Sequence, residues 1–230
     1  MIISHKYKYI FLKTRKTAGT SIEISLSRFC GEDDIITPIA PKDEAIRQEL
    51  GVFPQNYDNY TRPLELGEEQ LKDNPNLGVV QESQLTTKFW NHIPANKIKQ
   101  RIGPKIWNSY FKFCFVRNPW DRAISRYYWS FHQIKSLDES LRKYNLNVNF
   151  NTYTIDGKVA VDYIGKYESL MEDLAYACEQ LGIPFDKWLP RAKGDSRKDR
   201  RHYSEVLTQE EAEYIREKCA AEIELFGYEF

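Results

Sequence analysis

The sequence predicts an α/β protein with a central parallel sheet flanked by layers of helices. Three observations carry this. Short apolar runs rich in aromatic and β-branched residues alternate with segments of helical period. The strongest of them, Tyr110-Phe111-Lys112-Phe113-Cys114-Phe115-Val116, is almost continuously apolar, as a parallel strand covered on both faces is. The length of 230 residues suits one ordinary domain with a sizeable insertion, enough chain for a packed core without disulfide or metal staples.

The elements follow in order. Tyr7 to Leu12 reads as a first strand. Lys13 to Gly19 (KTRKTAG) breaks the pattern, and Thr20 to Phe29 places Ile22, Leu26 and Phe29 at helical spacing. Residues 31–80 hold most of the prolines, many Asn and Asp, and little periodicity. They are expected to be an irregular insertion. Ala95 to Ile102 predicts a helix stopped by Gly103-Pro104. The Tyr110–Val116 strand ends at Arg117-Asn118-Pro119, and a helix runs from Trp120 to Phe131 with Pro119 at its start. Residues 133–157 are polar and Asn-rich, and are expected to form loops. Val161 to Tyr167 is a short strand, and Leu170 to Leu181 a helix ended by Gly182 and Pro184. Arg191 to Tyr203 is a basic loop. Thr208 to Leu225 is a final helix, with Thr208 and Glu211 spaced as a capping box.

Composition narrows the class. Aromatic residues make up 14% of the chain, which argues against disorder. No apolar run is long enough to cross a membrane, and Met1 to Lys13 lacks a signal-peptide core, so a cytoplasmic protein without a leader or anchor is expected. The four cysteines lie far apart with no C-x-x-C pair, and read as reduced thiols. The charges balance at 33 basic and 33 acidic residues, which argues against a general nucleic-acid coat. The balance hides a pattern: residues 1–30, 81–135 and 191–203 carry +5, +8 and +4, and the segments between and after them are acidic. Such blocks are either alternating solvated faces or three walls converging on one small polyanion.

Two motifs bear on that choice. Between the first strand and its helix lie Lys16, Thr17, Ala18, Gly19, Thr20 and Ser21. Small residues let backbone N–H groups approach an anion, the helix N-terminus adds partial positive charge, and Lys16 adds a full one. The lysine precedes the glycine by three and no earlier glycine exists, so the loop departs from the nucleotide-kinase pattern G-x-x-x-x-G-K-[ST]. By itself it is either an anion site or an ordinary capped helix start. The second motif is F-V-R-N-P-W-D-R-A-I-S-R-Y-Y, residues 115–128. Arg117 stands where the buried strand leaves the sheet, the end at which α/β folds bind ligands. Ser125 lies two helical turns on, within reach of the same group. Arg117 suits phosphate oxygens, or else pairs with Asp121.

Together the motifs F-L-K-T-R-K-T-A-G-T-S and F-V-R-N-P-W-D-R-A-I-S-R-Y-Y resemble the sulfotransferases that use 3′-phosphoadenosine 5′-phosphosulfate, in particular the carbohydrate (Golgi-type, membrane-bound) branch and its bacterial relatives. Ile164-Gly165-Lys166-Tyr167-Glu168, Arg200-Arg201-His202-Tyr203 and Ile223 to Tyr228 extend the resemblance, which covers about residues 5–30 and 85–230. Family members commonly read P-K-T-G-G-T-S. Here Arg15 stands for the proline and Ala18 for the first glycine.

The resemblance implies a single sulfotransferase domain over residues 1–230, with a three-layer, P-loop NTPase-like fold and acceptor-shaping segments at about 31–80 and 133–157. It implies that Lys16 contacts the bridging oxygen of the leaving phosphosulfate, where negative charge develops. It places Thr17, Ala18, Gly19, Thr20 and Ser21 around the 5′-phosphate, and Arg117 and Ser125 on the 3′-phosphate. Arg200, Arg201 and Tyr203, in the loop that closes over the nucleotide, are the candidates for further phosphate or adenine contacts, or part of a solvated charge run. The donor would be 3′-phosphoadenosine 5′-phosphosulfate, the product 3′-phosphoadenosine 5′-phosphate, and no metal is required. The acceptor would be a hydroxyl or amine of a small molecule or glycan. His92 is the candidate base, with Glu82 the runner-up; the alternative for His92 is a backbone-bonded histidine near a helix start. His132 could line the acceptor cleft. Trp90, Trp107, Tyr127, Tyr128 and Trp129 could stack on a sugar or adenine, or simply belong to the core. A nucleotide-dependent kinase or NTPase of the same layer architecture, or a non-catalytic nucleotide-binding module, are the competing readings.

Overall fold

The computed structural model describes residues 1–81, 83–130, 135–192, 197 and 199–230. Its centre is a five-stranded sheet, in spatial order Tyr163–Lys166, Phe111–Val116, Tyr9–Phe11, Ile2–Ser4, Ile35–Ile36. The first three are parallel, with Phe113 opposite both Phe11 and Tyr163. Ile2–Ser4 runs antiparallel to both its neighbours, so four strands share one direction and one opposes it. The sheet is therefore mostly, not wholly, parallel. The expected first strand is shortened to Tyr9–Phe11 and gains an unforeseen hairpin partner at Ile2–Ser4. Three residues are too few to show a period.

The unbroken apolar strands have the reason anticipated. Tyr9, Phe11, Phe113 and Phe115 point to one face, against Ile22 and Leu26 of the Gly19–Ser27 helix and Leu174, Ala177 and Cys178 of the Leu170–Gln180 helix. Ile10, Leu12, Cys114 and Val116 point to the other, against Phe89, Ile93 and the Ala95–Ile102 helix. Successive side chains alternate across the pleat, so helices on both sides demand apolar residues at every position. Gly165 pairs with Phe115, and a Cβ there would come within 2.5 Å of the Phe115 ring, so the strand needs glycine at that crossing. The helix Pro119–Ser130 packs Trp120, Ala123 and Ile124 against Leu141, Leu207, Ala212 and Ile215 in a third cluster.

Three expectations need correction. The insertion at 31–80 is not irregular. It supplies Ile35–Ile36 to the central sheet, a helix at Pro41–Glu49, and two strands, Tyr60–Pro63 and Val79–Gln81, that flank Gln84–Thr87 in a separate antiparallel sheet. Residues 133–157 are not simply loops either. Leu137–Lys143 is helical behind a Ser136/Glu139 capping box, Phe150–Tyr153 makes one turn, and Thr154–Ile155 pairs with Lys158–Val159 across Asp156-Gly157, both at positive φ. The final helix begins at the predicted Thr208/Glu211 capping box but breaks at Cys219, giving Gln209–Lys218 and Ala220–Phe226. A short helix at Pro104–Ser109 is a further element without a clear sequence signal. The four cysteines are unpaired. Among the described residues no helix is long and apolar enough to cross a membrane.

Candidate active site

The Tyr9–Phe11 and Phe111–Val116 strands are parallel neighbours, so the loops at their carboxyl ends rise side by side. A cleft of about 290 Å³ opens there, a size that suits a small molecule. Its walls bring together Lys16, Ala18, Gly19 and Thr20 of the first loop, Arg117 and Ser125 of the second motif, His92, and Arg200. Residues from the two ends and the middle of the chain thus meet in one basic cleft.

The first loop is held in an unusual shape. Lys16 and Ala18 have φ of 63° and 58°, the left-handed region. Thr14 Oγ1 donates to the Phe115 carbonyl and bonds Thr17 Oγ1 at 2.8 Å, pinning the loop to the next strand. His92 Nδ1 lies 2.8 Å from the Lys13 carbonyl, and Arg117 Nη1 donates to the Lys16 carbonyl at 3.1 Å. Asn149 grips the peptide of Arg15 from the opposite side. The carbonyls are thereby occupied. The first amides of the Gly19–Ser27 helix, which no intrahelical carbonyl can satisfy, are left at the cleft. No side chain caps this helix start, so the alternative of an ordinary capped helix is not what forms.

Glycine at position 19 has a specific cause. A Cβ there would fall 2.8 Å from Lys13 Cγ. The Lys13 chain passes over Gly19 to put Nζ 2.6 Å from Glu23 Oε2. Glu23 is fully buried and also takes the Met1 ammonium at 2.5 Å and the Thr37 hydroxyl at 3.1 Å. Burial pushes the Glu23 carboxyl up, but Lys13 and the Met1 ammonium outweigh it and hold the group at about 2. The charge of Lys13, though it lines the cleft, is matched from below.

The second motif folds as its sequence indicates. Asn118 caps the Pro119–Ser130 helix, its Oδ1 accepting from the Trp120 and Asp121 amides, with Pro119 at the first helical position. Arg117 does pair with Asp121, at 2.7 Å from Nε, and lies over the Tyr167 ring at 4.0 Å. The pairing orients the guanidinium without removing it from the cleft wall. Asp121 also pairs with Arg197 of the basic loop. Glu168 accepts from the Asn118 amide at 2.7 Å and from the Tyr228 hydroxyl at 3.3 Å, which ties the C-terminal segment to this turn.

The site residues named from sequence do not all reach the cleft. Thr17 is buried against Thr14. Ser21 accepts from the Ala192 amide at 3.3 Å. Arg201 is exposed and paired with Asp199. Tyr203 stacks on Trp120, accepts from Asn118 and donates to the Glu229 carbonyl. Arg201 and Tyr203 therefore lie outside the cleft wall, where the sequence put contacts to a nucleotide. Glu82 and His132 fall outside the described residues, as do parts of the basic loop. Of the five aromatic residues singled out, Trp129 lines the cleft, with Lys16 Nζ 4.9 Å from its ring.

Sequence reading missed Arg15, Arg126, Tyr167 and Arg197 as wall residues, Asn149 as a support, and the link from Asp121 to Arg197. Arg126 sits over the Tyr144 ring, and its pKa is lowered by desolvation. A signal for Trp129 existed: it lies four residues after Ser125, on the same helical face. Asn149 gave none, because a polar residue in an Asn-rich stretch looks like loop.

The His92 ring meets a carbonyl oxygen through Nδ1, and a carbonyl only accepts. Nδ1 must therefore carry the proton, and Nε2 keeps its lone pair. Burial lowers the pKa of His92 to about 3, assisted by the charge of Lys13. The ring is neutral at ordinary pH.

Comparison with known proteins agrees with this architecture. An uncharacterised protein of Archaeoglobus fulgidus is 38% identical over 101 residues, 40% of this chain and 84% of that protein. Carbohydrate sulfotransferase 14 of Danio rerio is 23% identical over 197 residues, 67% of this chain; the match spans about half, 52%, of that protein's length. No solved structure matches. The profile of the sulfotransferase family matches residues 1–155, which includes the first loop, His92, the Arg117–Ser125 motif, the segment 31–80 expected to be an insertion and most of the expected loop region 133–157. The chain belongs to the sulfotransferase family.

Proposed function

We propose that this protein moves a sulfuryl group from 3′-phosphoadenosine 5′-phosphosulfate to a hydroxyl, or an amine, of a carbohydrate or glycan-containing metabolite. The observation that carries the reading is the meeting of Lys16 and its loop with Arg117 and Ser125 in one basic cleft. A donor with phosphates at both the 5′ and 3′ positions suits two separate cationic sites. A nucleoside triphosphate would not need the second. The carbohydrate acceptor rests on the likeness to carbohydrate sulfotransferase 14. The single-domain, P-loop-like architecture is part of the same reading, supported by the mostly parallel sheet with helices on both faces.

In this mechanism the loop amides and the Thr20 hydroxyl hold the 5′-phosphate, and Arg117 and Ser125 hold the 3′-phosphate. Arg200 adds charge from the basic loop, with Arg201 and Tyr203 serving that loop from outside the cleft wall. The acceptor oxygen attacks sulfur in line. The bond from sulfur to the bridging oxygen breaks, and its electron pair stays on the phosphate, where Lys16 meets the charge. The acceptor proton passes to Nε2 of His92. A conjugate acid at about 3, held there by burial and by the charge of Lys13, makes by itself a feeble base. The anionic donor counteracts the desolvation and strengthens it.

His92→Ala is expected to lower turnover by about 10²–10⁴-fold. Affinity for 3′-phosphoadenosine 5′-phosphate should stay within about threefold of wild type, read by calorimetry and by transfer of labelled sulfate. Unchanged turnover would remove His92 from the mechanism.

A further inference from the structure

Asn149 is fully buried, at 0% exposure, in a segment that otherwise reads as polar loop. Its Oδ1 accepts from the Arg15 N–H at 2.8 Å, and its Nδ2 donates to the Arg15 carbonyl at 2.8 Å. The amide orientation is fixed, because the Arg15 N–H only donates and so faces Oδ1, and the Arg15 carbonyl only accepts and so faces Nδ2. Asn149 also stands at the start of the Phe150–Tyr153 turn, where an asparagine would ordinarily cap. It does not cap that turn; the side chain is committed to the loop instead.

The residue it grips precedes Lys16. Lys16 and Ala18 both hold positive φ without being glycine, a conformation that persists only where surroundings over-determine it. Arg117 fixes the Lys16 carbonyl from the sheet side, and His92 fixes that of Lys13. Asn149 supplies the clamp between them, from a different part of the chain. We propose that Asn149 is a positioning residue for the donor loop: its amide sets the peptide that aims Lys16 and the loop amides at the anion. The proposal rests on the sulfuryl-transfer reading of the cleft. It also makes Asn149, within the 133–157 stretch expected to shape the acceptor side, a structural part of the donor site.

The test compares wild type, Asn149→Ala, Asn149→Asp and Asn149→Gln in calorimetric titration with 3′-phosphoadenosine 5′-phosphate between pH 5 and 8, with ligand-free thermal melts beside it. An ionised aspartate keeps the acceptor but faces the Arg15 carbonyl with a second oxygen. A protonated one restores the donor and copies the amide, and burial favours that form. At pH 8 all three variants should bind about tenfold or more weakly. On lowering the pH, the Asn149→Asp to wild-type ratio should fall toward one while the Asn149→Ala ratio stays flat. Arg15, Lys16, His92, Arg126 and Tyr144, the titratable groups around the clamp, are common to all proteins and cancel in the ratio. Asn149→Gln keeps the amide and displaces it, so it should lose affinity with little change in melting temperature. Wild-type affinity in Asn149→Ala or Asn149→Gln, or identical pH dependence of the Asp and Ala ratios, overturns the proposal. If wild type itself does not bind, the donor reading fails; the clamp is then judged by the melts, where Asn149→Asp must gain stability over Asn149→Ala as pH falls, and a constant difference overturns it.

Discussion

Replacing Lys16 with alanine is expected to cost about 10²–10³-fold in the rate of sulfuryl transfer, and far less in nucleotide affinity. The asymmetry follows from where charge appears. In the bound donor the bridging oxygen is nearly neutral, and it becomes a full phosphate oxygen only as the bond to sulfur breaks. In the proposed mechanism an ammonium at that oxygen stabilises the transition state more than the ground state. Lys16 Nζ lies 4.9 Å from the Trp129 ring, within cation–π range on the cleft wall. Single-turnover transfer at saturating donor, with calorimetry beside it, separates the two effects. Equal losses in rate and affinity would mean that Lys16 only binds.

Glu23→Ala should destabilise the fold by about 3–5 kcal/mol. Glu23 lies at 0% exposure beside the Lys13 ammonium and the Met1 amino group, whose pKa burial lowers to about 5, so removing it leaves the buried Lys13 cation without its carboxylate. Denaturant titration reads the loss as a lower midpoint at unchanged slope. A Lys13→Met/Glu23→Leu variant, which removes both charges of the pair, should recover a large part of it. Because the Glu23 carboxyl is held at about 2, below its unfolded value, its contribution is present above pH 4.5 and disappears as pH falls through 2. A loss under about 1 kcal/mol would show that the pair is hydrated and carries little weight.

What the sequence disclosed depended on how local each signal was. The Phe111–Val116 strand, the Ala95–Ile102 helix and the Thr208 capping box lie within single windows of chemistry. The second motif contains its own strand end, N-cap and helix, so the chain alone places Arg117 and Ser125 on one side of the sheet's carboxyl edge. Elements of two to four residues, such as Ile35–Ile36, leave no such trace, because their pairing comes from neighbours distant in sequence. Two short elements in the polar stretch do carry local signals: Ser136 with Glu139 is a capping box, and Asp156-Gly157 is a hairpin turn. Arg201 and Tyr203 are candidate nucleotide contacts through the family resemblance of their loop, not through a local chemical signal. In the folded chain Asp199 pairs with the first, and Trp120 with the Glu229 carbonyl holds the second. The Asp121 partner of Arg117 lies in the same motif and was legible, but Asn149 with Arg15, and Asp121 with Arg197, join distant segments that only the folded chain brings together.

Titration with 3′-phosphoadenosine 5′-phosphate, set against ADP and Mg-ATP, tests the central claim most directly. The two cationic sites predict micromolar or tighter binding of the bisphosphate without magnesium, about 10²-fold weaker binding of ADP, and a comparable loss for the bisphosphate in Arg117→Ala. Equal or better binding of Mg-ATP, or a bisphosphate affinity indifferent to Arg117, would contradict the donor assignment and take the roles of Arg117 and Ser125 with it.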